Sequence, residues 1–168
     1  MKPDWMGRYR PLVRALVQHT NTASRNAGQK KEFAPGVMLS SQEWQVLEYL
    51  IEHEDEDENM LYISERLGIA QSSLSKYTKT LCCEKLVERY HILGNRKSII
   101  LKATDKGRQV YDYRSDHVNP ALFAPLFEGL DSLPDEVILQ VSQAIEAFNI
   151  RHWHSKQKTL VPIQEDNE

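Results

Sequence analysis

Two broad apolar stripes at helical spacing lie at opposite ends of the chain. The first predicts a helix from Trp5 to about Gly28, in which Pro11 either kinks the helix or marks the first turn of a second one. The second predicts a helix from Asp135 to about Gln157, with proline and acidic residues at its start. The main apolar positions of these two helices are Trp5, Tyr9, Leu12, Leu16, Val141, Ile145, Phe148 and Trp153.

Between these stripes, a capping box at Ser40 and Glu43 predicts the start of another helix, because each side chain can satisfy a backbone N–H of the first turn. Leu39 and Trp44 are spaced to form the hydrophobic staple that accompanies such boxes. Residues 52–58 then contain six carboxylates in seven positions. The run predicts a solvated loop. A divalent-cation site is the alternative, but the turn glycine and alternating oxygen ligands of a calcium loop are missing.

A short helix and a longer one follow each other closely in the centre of the chain. The first is predicted over about 59–67 with Gly68 as its stop, and the second from Gln71 to about Lys85. Because Ala70 has no side chain that caps a helix, a start at Ser72 is the alternative. Two helices joined by so short a glycine-containing turn are typical of a helix-turn-helix.

The two sides of the second helix differ in chemistry. At about 100° per residue, its apolar residues and Thr78 fall on one side, which predicts a core face. The opposite side carries only hydroxyl and ammonium groups. Gln71 can pair with adenine and Lys76 can reach guanine or phosphate, while an ordinary solvated face is the alternative. The predicted major-groove contacts are Gln71, Ser72, Ser73, Ser75, Lys76 and Lys79.

Two short strands are predicted after this helix, over 87–91 and 97–101, around a Gly94-Asn95 turn. The turn is followed by two cations, which is typical of a wing whose arginine enters the minor groove. A plain surface hairpin is the alternative. The predicted wing contacts are Asn95, Arg96 and Lys97. Thr104 then predicts the cap of a following helix, and Pro120 and Pro125 predict a break beyond it.

Charge is unevenly distributed along the chain. The net charge is −3, but residues 62–110 contain ten Lys/Arg and four Asp/Glu, a net of +6, which leaves −9 for the remainder. Basic charge concentrated in the block that contains the helix-turn-helix is expected of a surface that neutralises phosphates.

Other features narrow the class of protein. No apolar run is long enough to span a membrane, and the first residues lack the pattern of a secretion signal, so we expect no membrane partner. Adjacent Cys82 and Cys83 make a poor structural disulfide, which favours a cytoplasmic protein. No catalytic, phosphate-binding or paired metal-ligand motif is present, so we expect neither an enzyme nor a cofactor.

Two groups of side chains suggest further hypotheses. Cys83 falls on the same face as Lys79, so its oxidation is a hypothesis for redox control of binding, with an inert cysteine as the alternative. His152 and His154 point about 200° apart on a helix, so they cannot share a metal ion within one chain, and Trp153 is predicted to lie in an interface.

The segments ISERLGI (63–69), LSK (74–76), KLVER (85–89) and LKATDKG (101–107) resemble, in order and spacing, the signatures of the MarR family of multiple antibiotic resistance regulators. The resemblance implies a cytoplasmic homodimer that controls nearby genes and is often released by a small-molecule effector. It implies major-groove contacts from Gln71 to Lys76 and a wing contact by Arg96. Lys85 stands where that family usually has glycine, which is costly if the position is left-handed.

These observations predict a mainly α-helical winged helix-turn-helix with a small two- or three-stranded β wing and dimerisation helices at both ends. The predicted domains are 1–36 (dimerisation helix and linker), 37–110 (DNA-binding domain), 111–157 (dimerisation helices) and 158–168 (disordered tail). The predicted function is a homodimeric regulator, favoured as a repressor, that binds a pseudo-palindromic operator in double-stranded DNA. The alternative is a winged-helix protein-docking module without specific DNA binding.

Overall fold

The computed structural model describes the backbone of residues 5–92 and 95–154 and the side chains of residues 5–91 and 99–148. The chain divides into two compact units, and the boundary along the chain falls between Ala121 and Leu122. The tail predicted for 158–168 lies outside the described residues. In chain order the elements are a 3-10 turn (Gly7–Tyr9), α1 (Arg10–Asn26), β1 (Lys31–Ala34), β2 (Val37–Leu39), α2 (Ser41–Glu52), α3 (Met60–Arg66), α4 (Gln71–Cys83), β3 (Val87–Ile92), β4 (Asn95–Ala103), α5 (Asp105–His117), α6 (Asn119–Leu130) and α7 (Asp135–His154).

The capping signals predicted the starts of α2 and α5 correctly. At α2 the Ser40 hydroxyl accepts a hydrogen bond from the Glu43 N–H at 3.2 Å, and the Glu43 carboxylate accepts one from the Ser40 N–H at 2.8 Å. At α5 the Thr104 hydroxyl accepts from the Gly107 N–H. Pro11 lies in the first turn of α1, which is the second of the two alternatives stated above.

The turn between α3 and α4 is a Schellman motif. Gly68 is left-handed, with φ +64°, and its N–H donates to the Glu65 carbonyl, while the Ile69 N–H donates to the Ser64 carbonyl. Ala70 provides no side-chain cap, yet α4 begins at Gln71, so the alternative start at Ser72 is wrong. The carbonyl of Ala70 accepts the first backbone bonds of the helix, which is sufficient to begin it.

A second Schellman motif ends α4. The Leu86 N–H donates to the Leu81 carbonyl at 2.9 Å, and the Lys85 N–H donates to the Cys82 carbonyl at 3.0 Å. Leu81 and Leu86, the apolar pair of this motif, are both fully buried. Lys85 adopts φ +58°, the one positive φ of a non-glycine residue in the described chain. The position where the resemblance places glycine is therefore left-handed here, and lysine pays a steric cost in it.

The wing is an antiparallel pair of β3 and β4, in register from Val87 opposite Ala103 to His91 opposite Ile99. The wing sheet is two-stranded, which confirms the predicted two- or three-stranded wing, and an isolated bridge joins Asn59 to Ile100 of β4. The second strand is longer than predicted, since it runs from Asn95 to Ala103 rather than from 97 to 101.

The structure differs from the prediction in two further places. Residues 31–39 form the β1–β2 hairpin around the Pro35-Gly36 turn, although only the turn was evident from the sequence. The predicted break at Pro120 is confirmed, because α5 ends at His117 and α6 begins at Asn119. The break predicted at Pro125 is wrong, because α6 continues through it. Pro120 lies in the first turn, where no backbone hydrogen bond is lost, and Pro125 removes a single bond from the helix interior.

The core of the first unit lies between α2, α4, α5 and the two hairpins. At its edge, the guanidinium of Arg114 lies 3.9 Å from the Phe33 ring centroid and 5.0 Å from that of Trp44, and the side chain is largely buried. Burial lowers the pKa of Arg114, and the nearby Glu48 carboxylate acts in the opposite direction. This stacking joins the β1–β2 hairpin to α2 and α5.

The strained Lys85 yields a stability prediction. We expect Lys85→Gly to raise the free energy of unfolding by about 0.5–1 kcal/mol, because glycine adopts φ +58° without a Cβ clash. Urea denaturation measures this change. Lys85→Ala removes the charge but keeps the Cβ, so it should show no such gain. An equal gain in both variants would assign the effect to charge instead.

Gly107 yields a prediction of opposite sign. A Cβ at this position would lie 2.3 Å from the Leu86 carbonyl oxygen and 3.2 Å from Leu47 Cδ1. Gly107→Ala should therefore lower the free energy of unfolding by roughly 1–3 kcal/mol, because backbone atoms must move. Gly129→Ala is the matched control, since a Cβ there meets no atom within 4 Å. Equal stabilities of the two variants would contradict the close approach.

Candidate nucleic-acid interface

Helix α4 buries one side and exposes the other. Leu74, Thr78 and Leu81 are fully buried against the core, and Tyr77 packs beside them. The Thr78 hydroxyl donates to the Leu74 carbonyl at 2.7 Å, so this polar group is satisfied inside the core. The predicted contacts emerge on the other side: Gln71, Ser72, Ser75, Lys76 and Lys79 are exposed, and Ser73 is half-buried.

The hydroxyl of Ser75 has a defined polarity. It donates its proton to the Gln71 carbonyl at 3.1 Å, so its lone pairs remain available toward solvent. In this arrangement Ser75 offers an acceptor, which suits the amino group of adenine or cytosine in a major groove. The first turn of α4 also carries N–H groups without a side-chain cap, and these favour anions.

Four cations of the basic block fall into two groups. Within the described residues, the ammonium groups of Lys76 and Lys79 make no ion pair or hydrogen bond, whereas Lys102 pairs with Asp57 at 2.9 Å and Arg108 pairs with Glu54 at 2.9 Å. The second group is therefore neutralised by the acidic loop of residues 52–58. The first group keeps its charge for an external anion.

The acidic loop contacts β4 at the base of the wing and helix α5. Besides its ion pair, Lys102 donates to the Glu54 carbonyl at 2.6 Å, and Tyr111 donates to Glu52 at 3.2 Å. Among the described residues, no group of three or more histidine, cysteine or acidic side chains is placed to hold a metal ion. The loop thus connects α2 to the base of the wing and to α5.

The wing carries further cations. The backbone places Asn95, Arg96 and Lys97 at the start of β4, beside the tip, while their side chains and Gly94 lie outside the described part of the structure. Arg89 on β3 is exposed and makes no ion pair with any described residue, yet it was not among the predicted wing contacts. Arg89 is one of the ten cations counted in residues 62–110, so the sequence did contain a signal for it.

The predicted dimerisation residues are largely uncovered within one chain. Helix α1 has no buried residue, and 81% of Trp5, 57% of Tyr9 and 45% of Leu12 is exposed. Leu16 is half-buried. In α7, Val141 and Phe148 are exposed and Ile145 is half-buried, while the side chains of His152, Trp153 and His154 lie outside the description. Apolar patches of this kind are typical of interaction surfaces.

The two cysteines have different surroundings. Cys82 is half-buried and packs against the core, whereas Cys83 is exposed at the end of the α4 face that carries Lys79. Neither is in a disulfide. This placement matches the helical projection made from the sequence.

The arrangement of these elements matches known structures. A MarR/EmrR family transcriptional regulator from Acinetobacter sp. ADP1 superimposes with a TM-score of 0.62, at 14% identity, over 86% of this chain and 95% of that chain. The chain has the MarR-type winged-helix fold. A cysteine-to-serine mutant of MarR from E. coli, complexed with operator DNA, matches the MarR-type fold of this chain with a TM-score of 0.60 at 14% identity, over 87% and 99% of the two chains. Lactococcus lactis ZitR in complex with DNA matches with a TM-score of 0.57 at 18% identity, over 88% and 99%.

Comparison of the sequence alone finds no match. No family model matches the chain, and no curated protein matches it. Among the helices described, none combines the length and apolarity required to span a membrane.

Proposed function

We propose that this chain is a sequence-specific transcriptional regulator that binds double-stranded DNA as a homodimer in the cytoplasm, with α4 in the major groove. The observation that carries the proposal is the composition of the exposed side of α4. It presents an amide, hydroxyls and two unpaired ammonium groups, and no aliphatic or aromatic side chain is exposed there. A protein-docking surface needs an apolar anchor, which this face lacks.

Each group on this face suits a partner in DNA. Gln71 at the start of α4 can pair with adenine, and Ser75 can accept from an exocyclic amino group. Lys76 and Lys79 are long enough to reach guanine or phosphate. The wing adds Arg96, which the proposal places in the minor groove with Asn95 and Lys97 beside it.

Two of the structures with this fold are DNA complexes, one of them with operator DNA. They support DNA as the partner of this chain. Repression is the mode that the resemblance favours, and a reporter gene placed behind a selected operator distinguishes it from activation.

The uncovered apolar helices support a dimer. We propose that the α1 and α7 stripes pair with their counterparts across a two-fold axis. The two copies of α4 would then enter successive major grooves about 34 Å apart, and the operator would be a pseudo-palindrome. Selection of bound sites from random DNA tests the symmetry directly.

The DNA proposal is tested by Lys76→Ala, with Lys31→Ala, an exposed lysine on β1, as the matched control. We expect Lys76→Ala to weaken binding to a selected operator by about 1–3 kcal/mol, because a phosphate or base contact is lost. A phosphate contact would also reduce the slope of log K against log salt by about one, whereas a base contact would relax preference at one base pair. Fluorescence anisotropy over a salt series measures both.

Arg96→Ala should likewise weaken operator binding, while Lys31→Ala should not. If Lys76→Ala and Arg96→Ala both bind like the wild type, the assigned interface is wrong. If the wild-type chain shows no salt-dependent binding to any DNA, the docking-module alternative gains support.

The dimer is tested by Leu12→Arg, with Met38→Arg as the matched control. The two residues are exposed to nearly the same extent, 45% and 46%, but Met38 lies on the β1–β2 hairpin rather than on a terminal helix. We expect the wild type and Met38→Arg to scatter light as two 19.5 kDa chains at micromolar concentration, and Leu12→Arg to shift toward one. A monomeric wild type would contradict the proposed symmetry.

A further inference from the structure

The end of α4 is held by the start of α5 through backbone carbonyls. Three successive carbonyl groups, those of Glu84, Lys85 and Leu86, accept hydrogen bonds from this start. Lys106 Nζ donates to the Glu84 carbonyl at 2.8 Å. Thr104 donates from its hydroxyl to the Lys85 carbonyl at 2.8 Å and from its N–H to the Leu86 carbonyl at 3.0 Å.

The backbones meet closely at this junction, because Gly107 leaves no room for a Cβ beside the Leu86 carbonyl. The Thr104 hydroxyl also accepts from the Gly107 N–H, so a single oxygen caps α5 and binds the chain that leaves α4. The junction thus combines direct hydrogen bonds with close packing of the two backbones.

Lys106 occupies a position that is electrostatically unfavourable in its own helix. It lies in the first turn of α5, where the helix dipole favours acids and disfavours cations. At the end of α4 the situation is reversed, because the last carbonyls carry partial negative charge and favour a cation. The ammonium group therefore stabilises the end of α4 at some cost to α5.

The orientation of α4 is sensitive to the geometry of this junction. The helix has 13 residues and is roughly 20 Å long. A tilt of about 5° about its C-terminal end would displace Gln71 by more than about 1.5 Å, which is comparable to the tolerance of a bidentate base contact.

We propose that Lys106 is a positioning residue for DNA recognition: its ammonium group, bound to the Glu84 carbonyl, fixes the tilt of α4 in the major groove. This inference rests on the proposed function. It differs from a phosphate contact, because Nζ is bound at the end of α4 opposite Gln71.

Lys106→Met tests the inference, since it keeps most of the stem and removes the ammonium group. Lys102→Met is the matched control: Lys102 also donates from Nζ to a backbone carbonyl, that of Glu54, but it holds the acidic loop and not α4. Lys106→Arg keeps the charge and can donate to the same carbonyl. Operator affinity, its salt slope and the thermal midpoint are measured for all three variants and the wild type.

We expect Lys106→Met to weaken operator binding roughly three- to tenfold with an unchanged salt slope, as for the loss of part of one charged hydrogen bond. Lys106→Arg should restore most of the affinity. Lys102→Met should lower the thermal midpoint at least as much as Lys106→Met and leave operator affinity unchanged.

Three results would overturn the inference. A salt slope reduced by about one in Lys106→Met would make Lys106 a phosphate contact. If Lys106→Met lowers the thermal midpoint but leaves operator affinity unchanged, Lys106 has only a structural role. The same conclusion holds if Lys106→Met and Lys102→Met lose equal affinity. In these three cases the wild type still binds DNA and the proposed function stands, whereas a wild type that binds no DNA would remove both.

Discussion

The burial of Leu74, Thr78 and Leu81 along one side of α4 is the constraint on which the site depends. These three positions fix the rotation of the helix about its axis, so the opposite side must face outward. Because the Thr78 hydroxyl is satisfied by the Leu74 carbonyl, the core face has no unpaired polar group that would favour another rotation. The chemistry of the interface is thus decided by what is packed behind it.

The ends of α4 complete this constraint. Both helices of the helix-turn-helix end in Schellman motifs, one with Gly68 and one with Lys85 in the left-handed conformation. The first motif sets the turn into α4, and the second directs the chain into the wing. Lysine at the second site shows that hydrogen bonds and the buried Leu81–Leu86 pair outweigh a steric cost of about 1 kcal/mol.

Most of the first unit could be predicted from local signals. The capping box at Ser40, the glycine stop at Gly68 and the spacing of apolar residues in α4 each act within a few residues, which is the range that a single sequence reveals. The β1–β2 hairpin could not be predicted in this way. Its first strand is four residues long, and its buried positions, Phe33 and Ala34, are adjacent instead of alternating.

The candidate site on α4 was also predictable from local signals. What could not be predicted depends on contacts between residues that are distant in sequence. The two sides of α4 follow from helical geometry alone. The contact of Lys106 with Glu84 joins residues 22 positions apart, and no periodicity indicates it. The neutralisation of Lys102 and Arg108 by the acidic loop similarly depends on tertiary structure. Charge counts therefore identified the basic block but could not separate its unpaired cations from its paired ones.

The division of α4 into two faces has an evolutionary consequence. Gln71, Ser72, Ser75 and Lys76 are exposed, so exchanging them should change little in the folding of the domain. Selection for a stable fold and selection for a new target sequence therefore act on different residues of one helix. Copies of such a gene could diverge in the DNA that they recognise while inheriting the same scaffold unchanged.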